Sequence, residues 1–315
     1  MPQSKSGINV NFVRGLVSVI IPTHNRAELL KATLESIAKQ SYRPIEIIVI
    51  DDDSQDHTRQ LIEQFRQQEA TSELTIHYQF QQYQNASLCR NEGLRSCTGE
   101  FIQFLDSDDV IHPDKLTEQV ALLNSENLDF VWSATIQFTQ QPDWHAPVYV
   151  GGHRGYANGE ELLIAFINKS QWRTDSGLFR RSACVKTGLW SAITMFQDWD
   201  YHIRLLAWHP KVAHLNKKLS AARQHNQGRI GDKWGNGTGL DGALNALMNI
   251  TEATQDGYRN NRDWQKAILS RTREIQQQSQ KTGNHTIQIA AADFIAYFSS
   301  LNETLKEENT VESAI

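Results

Sequence analysis

From residue 16 to about residue 138 the chain alternates strand-length apolar runs with amphipathic helical stretches, and that alternation limits the folds open to it. Residues 16–22 read as a strand. Residues 27–40 read as a helix with Leu29, Leu30, Leu34 and Ile37 on one face, and Asn25 and Glu28 have the spacing of a capping box. Strands at 45–50, 74–80, 100–105 and 128–138, separated by helices at 56–68, 86–96 and 113–124, continue the series. Strands that are apolar on both sides and separated by helices predict an α/β fold, with a mostly parallel sheet flanked by helices on both faces. In such sheets ligands bind beyond the carboxyl ends of the strands. His24–Asn25, Asp51–Asp53 and Asp106–Asp109 fall at those ends.

Residues 139–160 are rich in proline, glycine and aromatics, including Pro142, Trp144, Tyr149 and Gly151, and read as a long functional loop. A smaller half follows, with helices at 160–168, 182–187 and 198–208 and strands at 176–180, 211–215 and 219–223. Between Gly228 and Gly242 the chain holds six glycines around Trp234, which makes the segment a flexible lid candidate. Helices are expected at 240–254, 263–280 and 287–305, with a frayed end over 306–315.

Charge and cysteine content narrow the partners. Lys+Arg 31 against Asp+Glu 36 gives a net charge of -5, so no broad nucleic-acid-binding or anionic-membrane surface is expected. No run approaches the ~20 apolar residues of a membrane span, and the N-terminus lacks a signal-peptide core. Cys89, Cys97 and Cys184 have no Cys-x-x-Cys spacing and read as buried thiols. A cytoplasmic protein is expected, with no transmembrane segment and with peripheral contact at the inner face of the membrane left open.

The stretch Phe101-Ile-Gln-Phe-Leu-Asp106-Ser-Asp108-Asp109 runs an apolar strand into three carboxylates. Strand alternation would place Asp106 and Asp108 on one side, where they repel unless a hard divalent cation bridges them to a diphosphate. The plainer alternative is a polar turn leading into the helix near Pro113. No glycine occurs between Gly15 and Gly93, so neither a Gly-x-Gly-x-x-Gly loop nor a P-loop follows the first or second strand. Any phosphate here must be held by metal and side chains.

Five motifs in order carry a resemblance: Val17-Ser-Val-Ile-Ile-Pro22-Thr23-His24-Asn25-Arg26, Ile48-Val-Ile-Asp51-Asp52-Asp53, Cys89-Arg90-Asn91-Glu-Gly93, Phe104-Leu-Asp106-Ser-Asp108-Asp109 and Gln197-Asp198-Trp199-Asp200. Together they resemble the motifs of family 2 inverting glycosyltransferases of GT-A fold. The resemblance covers roughly residues 16–225. It implies a tail at 1–15, a glycosyltransferase domain at 16–235 and a C-terminal helical region at 236–315. The domain would divide into a nucleotide-binding half (16–138) and an acceptor half (139–235).

By position, the resemblance implies that Pro22, Thr23, His24 and Asn25 flank the nucleotide base. Asp52 would accept the base's ring N–H, and Arg90 would sit near phosphate or base. His24 departs from the family's usual Tyr. Asp108 would ligate Mn2+ or Mg2+, Asp106 would contact ribose or metal-bound water, and His225 would complete the shell. Asp198 would be the general base, with Asp200 as fallback; Gln197 stands where the family usually has Glu. The implied reaction is metal-dependent, inverting transfer from a nucleotide sugar, by family habit UDP-linked, to a carbohydrate or lipid-linked acceptor. A sugar-1-phosphate nucleotidyltransferase would share the sheet but should carry a Gly-rich basic loop. A non-catalytic receiver-type module would leave the Asp198 motif unexplained.

Overall fold

A computed structural model describes residues 7–151, 159–225 and 232–312. Two compact units emerge. The first comprises residues up to 155, 171–192 and 209–225; the second comprises 156–170, 193–208 and 226 onward.

The first unit is built on one eight-stranded sheet. In chain order its elements are β1 (Val13–Thr23), α1 (Ala27–Ala38), β2 (Ile45–Asp52), α2 (Thr58–Glu69), β3 (Leu74–Gln81), α3 (Ala86–Ser96), β4 (Gly99–Phe104), β5 (Val110–Ile111), α4 (Lys115–Ser125) and β6 (Phe130–Phe138). A 3-10 turn (Thr174–Ser176) leads into β7 (Gly177–Arg180), followed by α6 (Arg181–Thr187) and β8 (Val212–Arg223); α5 (Gly159–Asn168) and α7 (Gln197–Ala207) belong to the second unit. The spatial order is β3-β2-β1-β4-β7-β6-β8-β5. Strands β1 to β4 pair in parallel, β6 pairs in parallel with β8, and β7 runs antiparallel between β4 and β6. The α/β sheet expected from the sequence is thus present, mostly parallel and flanked by helices.

Burial explains the apolar runs. Every residue of β2 is buried, and β1 is buried from Val17 to Thr23. Val19, Ile21, Ile47, Val49, Phe101 and Leu105 join Leu30, Leu34 and Ile37 of α1 in one core. Gly93 lets α3 lie close on β1, since a Cβ there would stand 2.3 Å from Ile20 Cγ2. Strand order reverses at β1, which has β2 on one side and β4 on the other, and register brings Thr23 level with Asp51. In open α/β sheets such a reversal, beyond the carboxyl ends of the strands, is where ligands bind.

The structure corrects several local expectations. The capping box of Asn25 and Glu28 is not formed, because Asn25 takes a left-handed conformation (φ 50) and Arg26 is the residue before α1. Asp56 supplies the cap instead, accepting Ala27 N–H at 3.1 Å. The two strands expected at 211–215 and 219–223 are one strand, β8, whose register against β6 shifts around Ala134. The two-residue strand β5 carried no sequence signal.

The second unit, among the described residues, is helical: α5 (Gly159–Asn168), α7 (Gln197–Ala207), α8 (Asp232–Asn236), α9 (Leu240–Tyr258), α10 (Arg262–Thr282) and α11 (His285–Glu312). The frayed end expected over 306–315 is helical backbone as far as Glu312. Part of the glycine-rich lid candidate lies outside the described residues, and from Asp232 the remainder forms α8 and the start of α9.

Candidate active site

At the ends of β1 and β2, Pro22 and Thr23 are buried while His24 and Asn25 are exposed. The His24 ring is oriented by two bonds, Nδ1 to the Asp52 carbonyl at 2.5 Å and Nε2 to Asn25 Nδ2 at 2.9 Å. Because the Asn25 amide can only donate, Nε2 is the acceptor and Nδ1 carries the proton. Asn25 also accepts Gln55 N–H at 2.7 Å and donates its own N–H to Ser54, lacing the two loops together. The Asp52 carboxylate is buried and accepts three backbone N–H groups, from Tyr83 (2.7 Å), Gln84 (2.8 Å) and Asn85 (2.8 Å). Asn85 in turn caps α3 through its side chain. Asp52 therefore anchors the start of the helix that carries Arg90. Burial, and then the Asp52 carboxylate, push the Cys89 thiol well up, so it is an inert thiol here.

The acidic segment is not an alternating strand. β4 stops at Phe104 and the chain turns, with Asp109 N–H bonded to the Asp106 carbonyl at 3.2 Å. Asp106, Asp108 and Asp109 nevertheless bring one oxygen each to within 4.8 Å of one another. Convergence comes from the turn, and side-chain partners, three of them arginines, offset its cost. Arg90 Nη2 reaches Asp106 Oδ1 at 2.7 Å. Arg26 Nη1 and His225 Nε2 reach Asp108 Oδ2 at 2.9 and 2.6 Å, and Arg173 Nη2 reaches Asp109 Oδ2 at 2.9 Å. Burial pushes the Asp106 carboxyl up, but Arg90, Arg173 and Arg26 together outweigh it and hold Asp106 below the ordinary range. Asp109 is raised well above it by burial, with Asp175, Asp108 and Asp106 adding to the effect against Arg173.

These carboxylates divide by availability. Asp109 uses both oxygens structurally, one on Arg173 and one on Arg223 N–H at 2.9 Å, and so ties the turn to β8. Among the described residues, Asp106 is bonded through Oδ1 and Asp108 through Oδ2, leaving the other oxygen of each for a ligand. Two carboxylate oxygens with an imidazole beside them suit Mg2+ or Mn2+. The acidic cluster is thus of a kind that suits a divalent cation, and His225 lies against it through the bond from its Nε2 to Asp108. Arg90 lies on Asp106 and stacks over the Trp190 ring at 4.7 Å, and its Nε is buried without a hydrogen-bond partner among the described residues. Sequence reasoning missed Arg26, Arg173 and Arg223. Arg26 stood inside a quoted motif and Arg223 two residues before the candidate His225, whereas Arg173 sits in a segment with no signal of its own.

In the second unit, Asp198 lies in the first turn of α7, half-buried, with Oδ1 accepting Trp199 N–H at 2.9 Å. The residue preceding this helix is Phe196, in a left-handed conformation (φ 59, ψ 26) with no side-chain cap. Asp200 is fully buried and paired with Arg204 at 2.9 Å. Trp172, Trp190 and Trp199 are core residues, as most tryptophans are.

Comparison with known proteins bears on the family and the fold. The sequence profile described as Glycosyl transferase family 2 matches residues 18–183, just over half of the chain. The UDP-Glc:alpha-D-GlcNAc-diphosphoundecaprenol beta-1,3-glucosyltransferase WfgD of Escherichia coli is 36% identical over 118 residues, 37% of this chain and 44% of that protein. The GalNAc(5)-diNAcBac-PP-undecaprenol beta-1,3-glucosyltransferase of Campylobacter jejuni is 37% identical over 93 residues, 30% of this chain and 29% of that protein. The match thus spans less than half the length of these relatives. Among solved structures, S. aureus TarS 1-349 in complex with UDP-GlcNAc superposes with a TM-score of 0.59 at 17% identity, covering 93% of this chain and 92% of that one. The mannosyltransferase PcManGT from Pyrobaculum calidifontis, in complex with GDP-Man and Mn2+, gives 0.55 at 15% identity, covering 92% and 84%. At such identities the likeness shows a shared GT-A type fold.

Proposed function

The chain belongs to glycosyl transferase family 2 and is a glycosyltransferase, and from that premise we propose that it moves a sugar from a UDP-sugar to a hydroxyl of a carbohydrate or lipid-linked acceptor, inverting the anomeric centre and depending on a divalent cation. The observation that carries this reading is the convergence of Asp106 and Asp108 at the carboxyl end of β4, each with an oxygen left for a ligand, beside Arg26, Arg90 and His225. The relatives' names support a sugar nucleotide donor and an acceptor on a polyprenyl diphosphate.

In this reading Asp106, Asp108 and His225 would hold Mn2+ or Mg2+, which when bound neutralises the leaving diphosphate. Pro22, Thr23, His24, Asn25, Asp52 and Arg90 form the nucleotide side. Arg26 and Arg90 bring positive charge to the place where negative charge develops. Asp198 takes the proton of the acceptor hydroxyl. As the acceptor oxygen bonds to the anomeric carbon, the bond from that carbon to the diphosphate oxygen breaks, and its electron pair leaves with the nucleoside diphosphate. Asp200 is the poorer base, because its carboxylate is fully buried and committed to Arg204.

Residues 16–138 are proposed as the nucleotide-binding part of a domain running to 235, with 139–235 on the acceptor side and 236–315 as a helical region. No described helix is long and apolar enough to cross a membrane. We place the enzyme at the cytoplasmic face of a membrane, as a peripheral protein reaching a lipid-linked acceptor.

The test is a calorimetric titration of UDP into the protein with and without Mn2+. The unmutated chain should bind UDP more tightly with the ion. Asp108→Ala should lose the Mn2+-dependent part while remaining folded, since Asp108, though buried, lies in the turn after β4 and outside the hydrophobic core clusters. Equal UDP affinity with Mn2+ for both proteins would remove the metal reading.

A further inference from the structure

The segment carrying Asp198 is held from outside its own helix. Phe196 and Trp199 bracket Gln197 and Asp198, and their ring centroids lie 5.8 Å apart. The guanidinium of Arg271, on α10, stands over both rings, 5.0 Å from the Trp199 centroid and 5.8 Å from that of Phe196. Glu274 holds the far side of that guanidinium at 2.5 Å. Trp234 packs on Phe196 with centroids 5.5 Å apart, and the Trp199 indole N–H is fixed on the Phe166 carbonyl at 2.8 Å. α9 closes on the preceding residues so tightly that a Cβ at Gly242 would meet Thr194 Oγ1 at 2.6 Å and Met195 N at 2.8 Å.

Phe196 makes this more than packing. A bulky residue in the left-handed region is strained, and such a conformation persists only where its surroundings over-determine it. Here the surroundings are the helices that follow residue 231, which lie beyond the stretch matched by the family profile. Strain held immediately before a carboxylate is a means of fixing that carboxylate's direction. Cation–π stacking of Arg271 on two aromatic faces supplies the clamp.

We propose that Arg271 is a positioning residue for the glycosyl transfer, aiming Asp198 through Trp199 and Phe196, so that the C-terminal helices set the general base. This rests on Asp198 being that base. A misaimed base should lower turnover and leave nucleotide binding intact, because UDP is assigned to other residues.

The experiment measures kcat, KM and UDP affinity with Mn2+, using whichever of UDP-glucose, UDP-galactose, UDP-N-acetylglucosamine and GDP-mannose turns over fastest. The variants are Asp198→Asn, Arg271→Met, Arg271→Lys, Phe196→Gly and the double variant Asp198→Asn with Arg271→Met. Arg271→Met should lose about 10- to 100-fold in kcat with UDP affinity within twofold, and Arg271→Lys, which keeps a cation over the rings, should recover most of it. Phe196→Gly removes the ring, and relief of the backbone strain offsets part of the lost packing, so it should lose kcat with UDP affinity unchanged while still unfolding cooperatively; it also serves as the readout if Arg271→Met fails to fold. In the Asp198→Asn background Arg271→Met should change the residual rate by less than about twofold, because the group it aims is already disabled.

If Asp198→Asn falls at least 100-fold while Arg271→Met stays within threefold, the positioning role is wrong and the base assignment stands. A further tenfold loss on adding Arg271→Met to Asp198→Asn would show a general structural effect and also overturn it. If Asp198→Asn itself keeps more than a tenth of the rate, the base assignment falls and the positioning role falls with it.

Discussion

Replacing Asp52 by Ala should cost the protein stability as well as nucleotide affinity, and the two losses separate its roles. The carboxylate accepts the N–H groups of Tyr83, Gln84 and Asn85 at 2.7–2.8 Å. A hydrogen bond to a charged group contributes roughly 1.5–3 kcal/mol when buried, but Tyr83 and Gln84 are exposed, so water can replace part of what their N–H groups lose. About 1 kcal/mol for each of the three bonds gives a loss of about 2–4 kcal/mol for Asp52→Ala. Asp52→Asn should lose about half as much, because its oxygen can keep two donors while its amide faces the third. Urea unfolding at constant m-value measures both. A midpoint for Asp52→Ala equivalent to less than about 0.5 kcal/mol of destabilisation would refute the anchoring argument. A carboxylate has about four acceptor positions; three are filled by these N–H groups and the Cys89 thiol also bonds to the carboxylate, so a ring N–H of the base would displace that weak donor. That bond should be worth ~1–3 kcal/mol of nucleotide affinity. Uridine and its N3-methyl analogue binding equally well to the unmutated protein would show that Asp52 does not read that edge.

Lys115 is fully buried between Gln103 and Gln119, and burial pushes its amine down to about 7 against the pull of Asp175. Between that value and the unfolded value of about 10.4 the unfolded chain binds the extra proton, so the Lys115 contribution must rise with pH by up to about 1.4 kcal/mol per unit. The stability difference between the native chain and Lys115→Met should slope this way from pH 7 to 10 and be flat below 7; a flat difference throughout would show that the amine stays charged. Gly93→Ala should destabilise by about 1–3 kcal/mol through overpacking against Ile20. A variant as stable as the native chain in urea would mean that α3 shifts on β1 without cost.

Local signals were readable and long-range ones were not. Helix α3 has the bounds its sequence announces, Ala86 to Ser96, since Asn85 is a genuine cap before an apolar-periodic run. The carboxyl-end acidic groups were legible for the same reason: each follows a strand whose apolar run stops abruptly. What failed was partnership across the chain. The cap of α1 comes from Asp56, 29 residues from Ala27, and Arg173 meets Asp109 across 64 residues. No periodicity encodes such pairs. Lys115 sits in the first turn of α4, where a lysine reads as a solvated side chain, yet its stem and amine are enclosed. β5 is two residues long and exists only because β8 offers it an edge. Asp106 and Asp108 do converge, though through a turn instead of strand alternation, so the sequence argument reached the acidic pair by the wrong geometry.

Release of nucleoside diphosphate from a panel of nucleotide sugars, assayed with Mn2+, with Mg2+ and with a chelator, decides whether Asp106 and Asp108 serve a cation-dependent glycosyl transfer. Release is expected from a UDP-sugar, supported by either cation, abolished by chelator, and lost in Asp108→Ala while that variant still unfolds cooperatively. Undiminished release in chelator, or an Asp108→Ala variant as active as the native chain, would contradict it.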